Sequence, residues 1–140
     1  MRAWPAALLL AACAQWEHVS AATRAPPPGA AMVCVLRPAE RHDALFAVRD
    51  NDAFVGVTGT SSYFCYYAWP GAHRLESIAV EERPSAPSAL LLDVQANRRY
   101  FVEQVLTADG ARHWLELLAP PLARSRLRGC DQMMLIPPRD

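Results

Sequence analysis

The chain has 140 residues, 52% of them hydrophobic and 20% charged, with 14 basic residues against 14 acidic ones and a formal charge of zero. That length suits one domain, and the apolar content excludes a wholly disordered chain. All the basic residues are Arg, none is clustered into a stripe, and no apolar run reaches eighteen residues. A dedicated nucleic-acid binder, a lysine Schiff-base enzyme and a transmembrane helix are therefore all excluded.

In chain order, Met1–Ala12 has one positive charge, Arg2, ahead of an apolar run, which is the layout of an export signal. It closes as Leu10-Ala11-Ala12-Cys13, which resembles the lipobox of bacterial lipoproteins. Small alanines admit the peptidase, and the Cys13 thiol takes a diacylglycerol. The expectation is a signal peptide over 1–12 and lipidation at Cys13, with more than one acyl chain because a single chain binds only marginally. Ala14 after the cysteine, in place of Asp, points to the outer membrane facing the periplasm in preference to the inner membrane. Residues 13–30 are alanine-rich and end in Pro26-Pro27-Pro28-Gly29, the composition of an extended tether.

From residue 31 to 136, strand-length apolar runs alternate with turn residues, and no long 3.6-residue period appears. Ala31–Leu36 is apolar on both faces and reads as a central strand. Leu45–Val48 and Phe54–Val57 flank Asn51-Asp52, a hairpin turn whose residues tolerate positive φ. Tyr63–Trp69 is the densest aromatic strand; Tyr63, Cys65, Tyr67 and Trp69 share one face, and Phe64, Tyr66 and Ala68 the other. Pro70-Gly71 turns the chain into a strand near Leu75–Val80. Strands follow at Leu90–Val94, Tyr100–Leu106 and Trp114–Leu118, separated by turns at Asn97-Arg98 and Asp109-Gly110. Pro120-Pro121 and Gly129 punctuate a short helix over Leu122–Arg128. The pattern predicts an all-β fold: a small antiparallel β-sandwich of about seven to eight strands with a short C-terminal helix, and a tail at 137–140.

Export permits disulfides. With Cys13 lipidated, three cysteines remain. Cys34 lies within an apolar run and reads as a buried small hydrophobe, which leaves Cys65 and Cys130 as the expected bridge.

Several segments together resemble the bacterial lipoprotein family of unknown function DUF2846, itself similar to PEGA-type modules. They are Val35-Leu36-Arg37-Pro38, Phe54-Val55-Gly56, Tyr63-Phe64, Trp69-Pro70-Gly71-Ala72-His73-Arg74-Leu75, Ala96–Val102 and Leu127-Arg128-Gly129-Cys130. Leu36 stands where the family carries an aromatic residue, and Asn97 where it carries Gly. The resemblance covers Met32 to Leu135. It implies the sandwich and a lipoprotein address, and no known reaction.

Catalytic chemistry finds little footing. His73, behind Pro70-Gly71, is the first candidate for binding; the plainer account is a structural turn in which the imidazole bonds backbone. Cys65 with His73 would be the residue types of a thiol–imidazole pair, but aromatic neighbours point to a buried, inert Cys65. Gly59-Thr60-Ser61-Ser62 lacks the second glycine of a nucleophile elbow, and Glu81-Glu82 point to opposite faces of a strand. The four histidines stand singly, without metal-ligand spacing, so neither a metal nor another cofactor is expected.

The expected function is that of a non-enzymatic envelope lipoprotein. It would be tethered to the membrane through Cys13 and would bind an envelope protein or contribute structurally. A second reading is a small-ligand or glycan-binding module using Tyr63, Tyr66, Tyr67, Trp69, Tyr100 and Trp114, with Arg37, Arg98 and Arg99 able to meet anionic groups. A third is the thiol-dependent enzyme.

Overall fold

The computed structural model describes residues 25–38, 44–80 and 87–136, with backbone only for 131–136. The signal peptide and Cys13, Glu81-Glu82 and the 137–140 tail lie outside the described residues.

Among the described residues, nine strands and one helix follow in order: β1 (Ala31–Arg37), β2 (Phe46–Asp50), β3 (Ala53–Thr58), β4 (Ser62–Ala68), β5 (Gly71–Ala79), β6 (Ser88–Val94), β7 (Arg99–Leu106), β8 (His113–Leu118), α1 (Pro120–Leu127) and β9 (Asp131–Ile136). They form two sheets. The first has five strands in the order β8-β7-β1-β4-β9, and the second has four in the order β3-β2-β5-β6. The fold is an all-β sandwich with one short helix, as the strand-length runs predict.

Three features depart from the sequence reading. The sheets are not wholly antiparallel, because β1 pairs in parallel with β7, and β4 with β9. A ninth strand follows the helix. The helix itself begins at Pro120, two residues early. Proline lacks an N–H that the first helical turn would leave unbonded in any case, so Pro120 and Pro121 fit inside the helix rather than before it.

β1 is central, and each of its seven residues is buried. Its alternation separates two cores. Val33 and Val35 face the second sheet with Phe64, Tyr66, Val48, Leu75 and Val102. Met32, Cys34 and Leu36 face the opposite way, with Tyr63, Cys65, Phe101, Leu118 and Ala123 of α1. The expected partition of β4 is therefore seen: Phe64, Tyr66 and Ala68 lie between the sheets, while Tyr63, Cys65 and Tyr67 belong to the outer layer. An ion pair between Arg126 of α1 and the buried Glu103 of β7, at 2.7 Å, ties the helix to that layer.

Two local devices set the geometry. Asn51 and Asp52 take φ of 46° and 68°, the pair of positive values required by a two-residue hairpin whose twist matches its strands. At Gly56 a Cβ would lie 2.6 Å from a ring carbon of Phe64, so only glycine lets β3 approach that ring.

Candidate functional site

A cluster of hydrogen-bonded polar side chains lies where the chain passes from β4 in one sheet to β5 in the other. Asp50 ends β2 just before the hairpin, its side chain facing inward and 7% exposed. Tyr66, from β4 in the facing sheet, donates its hydroxyl to Asp50 Oδ2 at 2.9 Å. His73 Nδ1 meets both carboxylate oxygens, at 2.8 and 2.7 Å, and His73 Nε2 lies 2.7 Å from the carbonyl oxygen of Trp69. One carboxylate thus joins three strands from two sheets.

Hydrogen-bond chemistry fixes most of the protons. The Trp69 carbonyl only accepts, so Nε2 carries a proton and donates it. A second proton is held between Nδ1 and the Asp50 carboxylate, making a charge-assisted bond. Burial first, and then the Asp50 charge and hydrogen bond, push the Tyr66 phenol far above its ordinary value, so it remains neutral and a donor. A histidine–aspartate dyad acts on a substrate through the nitrogen distal to the carboxylate. Here that nitrogen is engaged by main chain within the same corner. The arrangement is built to hold two sheets together.

The surroundings reinforce it. Asn51 Nδ2 donates to Ala72 O at 3.1 Å, and Asn51 Oδ1 accepts from Arg74 N at 2.9 Å. Gly71 has φ of 137°, a conformation that side chains oppose, so Pro70-Gly71 starts β5 at an angle only glycine takes easily. Pro70, Gly71 and His73 are therefore brought together in a single corner. Sequence reasoning missed Asp50 and Tyr66 as the partners of His73. Asp50 lies between the run read as a strand, Leu45–Val48, and the Asn51-Asp52 turn, and Tyr66 reads as one aromatic among several. The one available signal was an inward-facing charge at the end of β2.

The cysteines require a correction. The bridge joins Cys34 to Cys65, and the half-buried Cys130 takes no part in it, so the expected Cys65–Cys130 pairing does not form. Cys34 and Cys65 are directly opposite in the antiparallel β1–β4 register, with Cα atoms 4.0 Å apart. Register places their side chains together on the outer face of the first sheet. Spacing along the chain gave no sign of this, and the apolar context of Cys34 suits a buried bridge as well as a buried thiol. Cys130 Sγ instead lies 3.4 Å from Arg126 O, at the end of α1. The bridge also removes the Cys65–His73 pair. Cys65 is oxidised in the outer layer, whereas His73 faces inward from the second sheet.

The other candidates disperse. Ser62 Oγ accepts from Gly59 N at 2.8 Å and donates to Gly59 O at 2.6 Å, closing the β3–β4 turn around Ser61, whose φ is 53°. His113 Nδ1 lies 3.0 Å from Ser77 Oγ, its ring centroid is 4.6 Å from that of Phe46, and burial lowers its pKa below the ordinary 6.5. Arg37 is fully buried over the Phe46 ring and donates to Ala44 O, so it does not share a surface with the exposed Arg98.

Of the six aromatics considered for a binding surface, Tyr63 and Tyr66 are buried, Tyr67 is half-buried, and the half-buried Tyr100 accepts from Gln95 N. Trp69 and Trp114 are exposed, but they stand at opposite ends of the first sheet. Trp69 follows the last residue of β4, and Trp114 is the second residue of β8, opposite Val105. They do not form a shared platform. Among the described residues no cluster of three metal-ligating side chains occurs.

Comparison with protein-family models, with curated proteins and with solved structures finds no match for the chain.

Proposed function

We propose that the protein is an envelope lipoprotein, held at the membrane by lipid on Cys13, whose sandwich is a non-enzymatic binding or structural module. The observation that carries this reading is the buried Cys34–Cys65 bridge, since such bonds persist in exported proteins and are rare in reducing compartments. It is independent of the leader, yet it points to the same compartment as Leu10-Ala11-Ala12-Cys13. The resemblance to the DUF2846 lipoproteins supports the lipoprotein address, and Ala14 behind the cysteine favours the outer membrane facing the periplasm. A structural role is supported by the His73–Asp50–Tyr66 corner, in which both ring nitrogens are engaged within the fold.

The test is a Cys13→Ser variant expressed beside the parent chain in a Gram-negative cell. The parent is expected to incorporate labelled palmitate and to sediment with membranes, and the variant to do neither. Equal labelling and equal sedimentation of the two would refute the anchor.

A further inference from the structure

We propose that the end of the sandwich where the chain enters β1 is a lipid-facing surface, with Trp69 and Arg98 as its contacts. The inference rests on the lipid-anchor reading and names what that anchor brings into contact.

Register supplies the geometry. Ala31, the first residue of β1, pairs with Ala68, the last of β4, so Trp69 stands across from Ala30. On the other side of β1, Met32 pairs with Arg99 and its N–H donates to Arg98 O at 2.9 Å. Trp69 and Arg98 therefore bracket the point where the chain from Cys13 arrives. That point is pinned: Ala30 O accepts from Asn97 N at 2.8 Å, and Asn97 Oδ1 accepts from Gly29 N at 3.2 Å. The Trp69 main chain is held through its carbonyl, 2.7 Å from His73 Nε2.

The chemistry of the bracket fits a bilayer interface. Trp69 is 66% exposed, an unusual state for so large an apolar ring. Tryptophan concentrates at the headgroup level of membranes, where an apolar body and one N–H donor are both satisfied. Arg98 is exposed and forms no ion pair among the described residues, which leaves its guanidinium for lipid phosphate. Asp52 and Asp93, exposed at the same end, belong to the second sheet, so the contact lies on the first-sheet side. Ala30 lies seventeen positions after Cys13, a stretch of at most about 60 Å when fully extended, so an anchor at Cys13 keeps this end near the bilayer.

The experiment uses the full chain with Cys13→Ser and an N-terminal hexahistidine tag. It is brought to vesicles of phosphatidylethanolamine and phosphatidylglycerol by a nickel-chelating lipid, so recruitment does not depend on lipidation. A lipid brominated near its headgroup quenches any tryptophan in contact, and the signal of Trp69 is the difference between this chain and its Trp69→Phe variant. An unchanged melting curve shows that the variant retains the fold.

The expected result is loss of the Trp69 emission on anionic vesicles. Recovery is expected with Arg98→Glu, or in about 1 M salt, where the Debye length falls to about 3 Å. Trp69 emission that stays unquenched on the vesicle surface overturns the proposal, as does protection of Trp69 by peptidoglycan sacculi in place of lipid. Quenching that is indifferent to Arg98→Glu removes Arg98 from the contact. Failure of the palmitate and sedimentation test, with Trp69 still quenched here, would discard the anchor and leave the surface standing.

Discussion

Removing the Asp50 carboxylate leaves the Tyr66 hydroxyl and His73 Nδ1 facing each other across an empty site inside the sandwich. Breaking a buried, hydrogen-bonded charge pair from one side costs about 3–5 kcal/mol, far more than an exposed ion pair contributes. Asp50→Ala is therefore expected to lower the unfolding free energy by about that amount in urea titration. Adding His73→Ala should cost much less than it does alone, because its partner has already gone. Strictly additive losses would show that the two side chains act separately.

His113 gives a pH dependence whose sign is fixed. Its folded pKa lies below the ordinary 6.5 because of burial, so between the two values the unfolded chain binds more protons. The contribution is complete above about 6.5 and is lost as pH falls toward the folded value. His113→Phe preserves a ring against Phe46 and gives up the Ser77 contact. It is expected to flatten the fall in stability between about pH 7.5 and pH 5. An unchanged slope would assign that fall to other groups.

At the scale of elements, the outcome of the sequence reading follows the range of the interaction involved. Asn51, Asp52 and Asn97 were legible because positive φ is a local demand that few side chains meet, and Asn97 does take φ of 62°. β1 was legible as central because both of its faces are apolar. β9 was not, since Asp131–Ile136 follows a helix and pairs with β4, far away in sequence. The Cys34–Cys65 bridge and the Asp50–His73–Tyr66 corner were hidden for the same reason: each depends on strand register.

That register carries a measurable consequence. The bridge closes a loop between residues 31 apart, for which chain entropy alone stabilises the fold by roughly 3–4 kcal/mol. The double variant Cys34→Ala/Cys65→Ala is expected to lose about 2–4 kcal/mol, part of the entropy being offset by relief of native constraint. Non-reducing peptide mapping of the parent should recover residues 34 and 65 in one linked fragment, with Cys130 alkylated. A linked 65–130 fragment would overturn the pairing.

For the whole molecule, the two parallel pairings mean that elements late in the chain complete a sheet begun at residue 31. β7 joins β1 and β9 joins β4, so the five-stranded sheet closes only when the last strand arrives. A chain spanning residues 25–140 keeps the Pro27–Ala30 turn, the Gly29–Asn97 contact and all nine strands. It is expected to fold alone, with a strand-dominated circular dichroism spectrum and a single cooperative melt. Ending the chain at Gly129 removes β9 and leaves β4 as the sheet edge. That strand reads Ser-Tyr-Phe-Cys-Tyr-Tyr-Ala, an uncharged aromatic run with unpaired backbone groups along its length. Such an edge is a template for pairing with other chains. The 25–129 chain is therefore expected to sediment as oligomers or aggregates where the 25–140 chain is monodisperse. A monomeric, cooperatively melting 25–129 chain would show that β9 is dispensable, and that the outer layer and disulfide suffice to hold the edge of β4.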